Sequence, residues 1–341
     1  MRYFAPGTRH FAPGTSTHHR ALITQHPRMI WIAVDAMGGD AAPEPVVDGA
    51  LAALRDRELG IALVGPSAVL ETALARHAPL DRARIRIVDA AEVVTMEESP
   101  AAALRRKPNA SIRVAAECVA RGDAAALFSA GHTGATVMAA HAAFGMLPGV
   151  DRPALAAAIP RPQRPAILLD VGASVECRPM HLVQFAVMGT VYSRVAFGIE
   201  SPRVGLLSIG EEANKGNELT REAHRLLKGS SLSFIGNVEA RDVYSGKADV
   251  IVCDGFTGNV ALKVSEGLVE VLANYLSEDF RRHLDYSEYG GAPLLGLAGV
   301  AIVGHGRSSA KAVQNGVALA CRFASQNFVA RVEREIAACS H

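Results

Sequence analysis

Four times along this 341-residue chain an apolar, strand-like run empties into a glycine-rich loop that opens a helix-like segment: Ile30–Asp40, Ala124–Gly134, Val204–Glu218 and Asp249–Asn259. Such a turn aims several backbone N–H groups at one spot, where the helix dipole favours an anion. Glycine also lets the backbone approach a ligand closely and take positive φ. The recurrence predicts a shared rim of loops around a phosphate-like group. The strand segments are continuously apolar, which is the pattern of a mostly parallel sheet with helices on both faces. In such an α/β fold every strand-to-helix loop is expected on one sheet edge, where ligands bind.

Strands are expected at 30–35, 61–64, 85–89, 125–129, 166–170, 204–209, 232–235, 250–254 and 300–303. Helices are expected at 45–57, 67–77, 111–121, 133–144, 181–197, 217–228, 258–276 and 308–337. The Pro- and Arg-rich run from Pro160 to Pro165 reads as a connector, so residues 29–338 form one catalytic unit whose two lobes would meet near 160–165. Residues 1–28 hold a tandem copy of F-A-P-G-T and no acid before Asp35. They are expected to be a disordered extension, with Met29 as the initiator.

A net charge of +1 lacks the basic excess of a nucleic-acid binder. Apolar residues make up 49% but aromatics only 5%, so the core is built from Ala, Val, Leu and Ile. Five scattered cysteines without C-x-x-C spacing point to a reducing, cytoplasmic setting, without a disulfide framework or zinc site. No apolar run reaches the roughly 20 residues a bilayer span needs.

Several chemistries lack their signatures. There is no Walker A loop and no G-x-S-x-G elbow, and Gly304-His305-Gly306 lacks the third glycine of a dinucleotide fingerprint. No pair of aspartates has the spacing of a helical metal site, so no metal is expected. Ser129 and Cys253 stand at strand ends beside Gly loops as candidate nucleophiles, against the plainer readings of a turn cap and a buried small hydrophobe. Asp35, Asp170 and Asp254 each end an apolar strand, where a carboxylate either caps the next helix or lines a site. Lys215, with Gly216 and Asn217 at a helix start, and Lys263 after Asp254–Asn259 suit a phosphate or an oxyanion.

Taken together, IAVDAMGGD, SAGHTGA, LLDVGASVEC, HLVQFAVMG, SIGEEANKGNEL, FIGNVEARD, GKADVIVCDGFTGNVALKVSEG, YGGAPLLGL and GHGRSSAKAVQNG closely resemble the PlsX family of bacterial phosphate acyltransferases, in order, from about Ile30 to Ala320. The resemblance implies an isopropylmalate-dehydrogenase-like α/β fold, related to the phosphotransacetylases, and a homodimer with no metal or nucleotide cofactor. It implies transfer of a fatty acyl group from acyl carrier protein to inorganic phosphate. The acyl phosphate would pass to a membrane glycerol-3-phosphate acyltransferase, so the enzyme is expected in the cytoplasm with peripheral membrane contact. Direct attack by phosphate needs no catalytic triad, because a thiol of reference pKa about 8.5 leaves without strong acid help.

Lys215, Asn217, Asn259 and His132 are the expected catalytic groups. Asp35, Gly38, Gly39, Asp40, Gly131, Thr133, Gly134, Asp170, Gly216, Asp254, Gly255, Gly258, Lys263 and His305 are expected to bind substrate. Arg105, Arg106, Lys107, Arg281 and Arg282 offer basic surface to the acidic carrier protein. The chain departs from the family pattern at His132, where Asn is commoner, and at Ser174-Val175-Glu176 in place of Asn-Val-Asp. The segment from Glu266 to Leu284 is shorter than usual. Its residues Leu268, Val271, Leu272, Tyr275 and Leu276 are expected to pack in the core or against a dimer mate. The alternative within enzymes is a short-chain phosphotransacetylase using acyl-CoA; a decarboxylating dehydrogenase and a carrier-binding scaffold without turnover are weaker readings.

Overall fold

The computed structural model describes residues 29–339 except 78, 162, 273–274 and 276–285. Its strands are β1 (Ile30–Asp35), β2 (Leu59–Gly65), β3 (Ile85–Asp89), β4 (Ala126–Ser129), β5 (Ala154–Ile159), β6 (Ala166–Leu169), β7 (Val204–Leu207), β8 (Phe234–Val238), β9 (Val250–Val252), β10 (Ala292–Leu295) and β11 (Val300–Val303). The helices are α1 (Glu44–Asp56), α2 (Ser67–Leu74), α3 (Pro100–Arg106), α4 (Ser111–Ala120), α5 (Thr133–Phe144), α6 (Pro179–Phe197), α7 (Glu218–Lys228), α8 (Gly255–Leu272), α9 (Ala310–Ser325) and α10 (Phe328–Cys339).

All strands join one sheet of order β3-β2-β1-β4-β11-β10-β5-β6-β9-β7-β8. The sheet is mostly parallel and helices cover both faces, as the apolar strand runs predict. Alternate residues of β1 show why: Ile32 and Val34 belong to the core on one face, where α9 packs on β1, and Ala33 to the core on the other, where α4 packs on β1. The expected single helix over 308–337 is two, α9 and α10, broken where Asn327 takes φ 51°.

One expectation is overturned. β1, β2, β3, β4 and β11 run parallel to one another, and so do β6, β7, β8 and β9. Between the two sets, β10 is antiparallel to both β11 and β5, and β5 is antiparallel to β6. The two parallel sets therefore point in opposite directions. The loops after β1, β4 and β11 open on one edge, and those after β6, β7 and β9 on the other. The four Gly loops split two and two rather than forming one rim. Sequence reading passed over both reversing strands: β5 (ALAAAI) is alanine-rich, and Pro293 in β10 argues against a central strand.

Candidate active site

On the first edge, Asp35 and Ser129 end neighbouring strands. Ser129 Oγ donates to Asp35 Oδ2 at 2.7 Å and accepts from the Gly131 N–H at 3.2 Å. Both side chains are buried, and Asp35 Oδ1 has no hydrogen-bond partner. Burial pushes the Asp35 carboxyl up, against hydroxyl bonds from Ser111 and Ser129 that pull it down. Gly38 lies so close that a Cβ there would meet Gly131 N at 2.7 Å and Asp35 Oδ2 at 2.8 Å. The glycines of these two loops thus serve backbone interlock. His132 caps α5, its Nδ1 accepting from the Gly134 N–H at 3.1 Å, an acceptor role that an Asn side-chain oxygen at a helix N-cap also fills. Thr133 is exposed at the first turn of α5.

Two further expected residues meet at this edge. The Asp40 N–H donates to the Gly306 carbonyl at 2.8 Å, beside Gly39 with φ 130°. His305 Nδ1 accepts from the Arg307 N–H at 3.1 Å, so Nε2 carries the proton of the neutral ring. Burial pushes the His305 imidazole down, and the positive charge of Lys263 acts in the same direction. Lys263 itself pairs with Glu266 at 2.7 Å along α8.

On the second edge, Asp170 lies beneath its loop. Its Oδ1 accepts from the N–H groups of Leu155 (2.8 Å), Gly172 (3.1 Å) and Ala173 (3.0 Å), and its Oδ2 from that of Ser174 (2.5 Å). Burial pushes this carboxyl up while the four amides pull it down. With no exposed surface and both oxygens engaged, Asp170 shapes the loop from within rather than presenting itself to a ligand. The Ser174 carbonyl then accepts from Gly255 N–H at 2.9 Å, tying the loop to the start of α8. A Cβ on Gly258 would lie 1.9 Å from the Asp170 carbonyl oxygen, so only glycine fits that turn.

Asn217 caps α7, its Oδ1 accepting from the Thr220 N–H at 2.9 Å, and Gly216 beside it takes φ 99°. Asp254 caps α8, accepting from Thr257 N–H at 2.9 Å and Thr257 Oγ1 at 2.7 Å. Lys215 is exposed on the loop before α7. These two helix starts border a cavity of about 980 Å³. Its polar end holds Ser208, Gly216, Asn217, Thr220, Asp254 and Thr257; the rest is mostly apolar apart from Tyr244 and Ser265, with Leu168 and Leu207 below and Val260, Val264 and Leu268 along α8. The opposite face of α8 carries Asn259, packed near Gly172, together with Lys263 and Glu266.

The structure thus brings Gly216, Asn217 and Asp254 to one cavity and Asp40, Lys263 and His305 to a second polar cluster. His132 is remote from the cavity, since β4 and β7 stand six places apart in the sheet order, about 29 Å at about 4.8 Å per strand. Its loop instead follows β4, which lies between β1 and β11, the strands that lead to Asp40 and His305. Ser129 is wholly buried and Cys253 nearly so, with burial pushing the Cys253 thiol well up; neither offers an exposed nucleophile. Lys107 is tied to Glu98 at 2.5 Å and to the Val93 carbonyl at 2.7 Å, which leaves Arg105 and Arg106 as the exposed members of that run. Arg281, Arg282 and Leu276 lie outside the described residues. Leu268 (57% exposed), Val271 (70%) and Tyr275 (84%) are not in the core of this chain. The cavity wall went unread in the sequence, although the spacing Val260-Val264-Leu268-Leu272 carries its signal.

A family profile described as "Fatty acid synthesis protein" matches residues 30–331. A phosphate acyltransferase of Nitratidesulfovibrio vulgaris (strain DP4) is 47% identical over 328 residues, covering 90% of this chain and 95% of that protein. One of Koribacter versatilis is 50% identical over 337 residues, covering 91% and 94%. The chain belongs to the PlsX family of phosphate acyltransferases. It is accordingly an acyltransferase of fatty acid and phospholipid synthesis. The fold is shared with a phosphotransacetylase from Streptococcus pyogenes at TM-score 0.67 and 18% identity, covering 88% of this chain and 95% of that one. The EutD phosphotransacetylase from Staphylococcus aureus aligns at TM-score 0.61 and 17% identity, covering 87% and 94%. Among the described residues no helix is long and apolar enough to cross a membrane.

Proposed function

We propose that this member of the family transfers a fatty acyl group from the thioester of an acyl carrier protein to inorganic phosphate. The observation that carries this reading is the cavity of about 980 Å³, mostly apolar along its length, with its polar groups concentrated where α7 and α8 begin. A fatty chain suits the apolar part. Phosphate suits the polar end, where two helix N-termini, Gly216 and the nearby Lys215 supply positive potential. A phosphate oxygen attacks the thioester carbonyl carbon, and the oxyanion that develops accepts hydrogen bonds from the Asn217 amide and free backbone N–H groups. As the oxyanion collapses, the new C–O bond stays, the C–S bond breaks, and the carrier leaves as a thiolate that takes a proton from water. Ser129 is wholly buried away from the cavity, and Cys253, although in the cavity wall, is only 2% exposed, donates toward the Asp170 carbonyl and has its thiol pushed well up by burial, which favours this direct path over an acyl-enzyme.

Asp170, Gly255 and Gly258 hold the floor of the site, while Asp254 fixes the start of α8. The exposed Arg105 and Arg106 receive the acidic carrier, so its binding weakens as salt rises. The enzyme acts in the cytoplasm as a homodimer, in reach of a membrane acyltransferase that consumes the acyl phosphate. The deciding assay follows thiol release from palmitoyl carrier protein with and without phosphate. Phosphate-dependent release, with acetyl-CoA inert, is the expected outcome; release independent of phosphate would sink the proposal. Turnover of acetyl-CoA alone would favour a short-chain phosphotransacetylase, a reading that leaves the length of the apolar groove without an occupant.

A further inference from the structure

We infer that α8 is a ruler for acyl-chain length, with Val264 and Leu268 as the residues that set the cut-off. The inference rests on the proposed acyl transfer and adds which chains the groove accepts. Among the α8 residues that line the cavity, Thr257, Val260, Val264, Leu268 and Leu272 recur every three or four positions and form one stripe along the helix, with Ala261, Ser265 and Val269 beside it. Hydrogen-bonding groups lie at its start, on Asp254 and Thr257. Farther along, the hydroxyl of Ser265 is already bonded to the Ala261 carbonyl at 2.8 Å and offers its proton to nothing else. Ile209, Val243 and Tyr244 form the facing wall.

The occupant this shape fits is a single alkyl chain whose reactive end lies at the start of α8. A cavity of about 980 Å³ falls at the upper end of the roughly 300–1,000 Å³ usual for small-molecule sites. A second copy of the chain would need a complementary surface rather than a recess with polar groups at one end. From Thr257 the helix advances about 1.5 Å per residue, which puts Val264 about 10 Å along, Leu268 about 16 Å and Leu272 about 22 Å. An extended chain of ~1.5 Å bonds advances about 1.25 Å per carbon. With the carbonyl carbon (carbon 1) abreast of Thr257, about carbon 9 lies at Val264, about carbon 14 at Leu268 and about carbon 19 at Leu272.

The test is the specificity constant for donors of 8, 12 and 16 carbons on Val264→Trp and Leu268→Trp, both at exposed positions of α8. Val264→Trp is expected to lower the 16:8 and the 12:8 ratios at least tenfold. Leu268→Trp is expected to lower the 16:8 ratio tenfold and to leave the 12:8 ratio within twofold. Equal effects on all three chains would overturn the ruler. So would a change of oligomeric state in sedimentation with an unaltered chain profile, which would mean that a second copy covers the stripe. If the wild-type protein forms acyl phosphate from no donor, the acyl-transfer proposal fails and the ruler is read without turnover. Displacement of a fluorescent 16-carbon fatty acid by 8-, 12- and 16-carbon competitors must then show the same order of cut-offs, and failure to displace it overturns the inference.

Discussion

Two buried aspartates, Asp35 and Asp170, end strands on opposite edges of the same sheet and are held in different ways. Asp35 has serine hydroxyls for company and one oxygen without a partner. Asp170 gathers four backbone N–H groups. A hydroxyl can donate to a neutral carboxyl or accept from it, whereas four amides can only donate and need the acceptor oxygens of a carboxylate. The first arrangement tolerates loss of charge. The second builds a loop and, through Ser174 and Gly255, the start of the helix that walls the cavity.

The sharpest way to break this contrast is Asp170→Ala. It strands four donors, of which the Leu155 and Ser174 N–H groups are buried, and at about 1 kcal/mol or more for each buried one the loss is expected to exceed about 2 kcal/mol in urea unfolding. A loss below 1 kcal/mol would mean that the loop does not depend on the carboxylate. Next is Lys215→Ala, expected to lower kcat/KM for phosphate about 100-fold, or about 2.7 kcal/mol of transition-state stabilisation, with unfolding unchanged. A larger loss in Lys263→Ala than in Lys215→Ala would move the phosphate to the cluster beside His305.

Ser129→Ala removes the hydroxyl that donates to Asp35 and is expected to destabilise by about 1–2 kcal/mol with little change in KM. Asp35→Asn probes charge. The folded-state pKa of Asp35 is raised, so the stability it contributes is present below the unfolded value of 3.8 and is lost as pH rises through the folded value. Asp35→Asn should therefore gain on the wild type between pH 4.5 and 7.5 in urea melts. A gap that stays constant, or moves the other way, contradicts the raised pKa. Asp170→Asn should show the same slope, since that carboxyl is also raised, but with a constant deficit from the lost amide acceptor. The smallest effect is expected for Lys107→Ala on carrier binding, within about twofold in titrations, because Lys107 is held by Glu98.

Much of this was legible in local sequence. The spans of β1, β3, β11 and α5 follow from apolar runs and glycine punctuation, because such signals act within one element. The polarity of the sheet did not follow. It depends on which strands pair across more than a hundred residues, and the reversing strands β5 and β10 carry alanine and proline rather than β-branched residues. At the site, the residue types suited to anion binding are the same types that cap helices. His132, Asn217 and Asp254 all turned out to cap, and pattern alone does not separate the two roles.

The placing of β10 and β11 also has a consequence for how the chain is made. These strands come from residues 292–303 yet fill the middle of the sheet, between β4 and β5. Until they emerge from the ribosome, the apolar strands β4 and β5 each keep one unpaired edge, and no shorter product can close the seam between them. Assembly must wait for residues 292–303, which makes a chain truncated before residue 292 a prime substrate for aggregation or for chaperones.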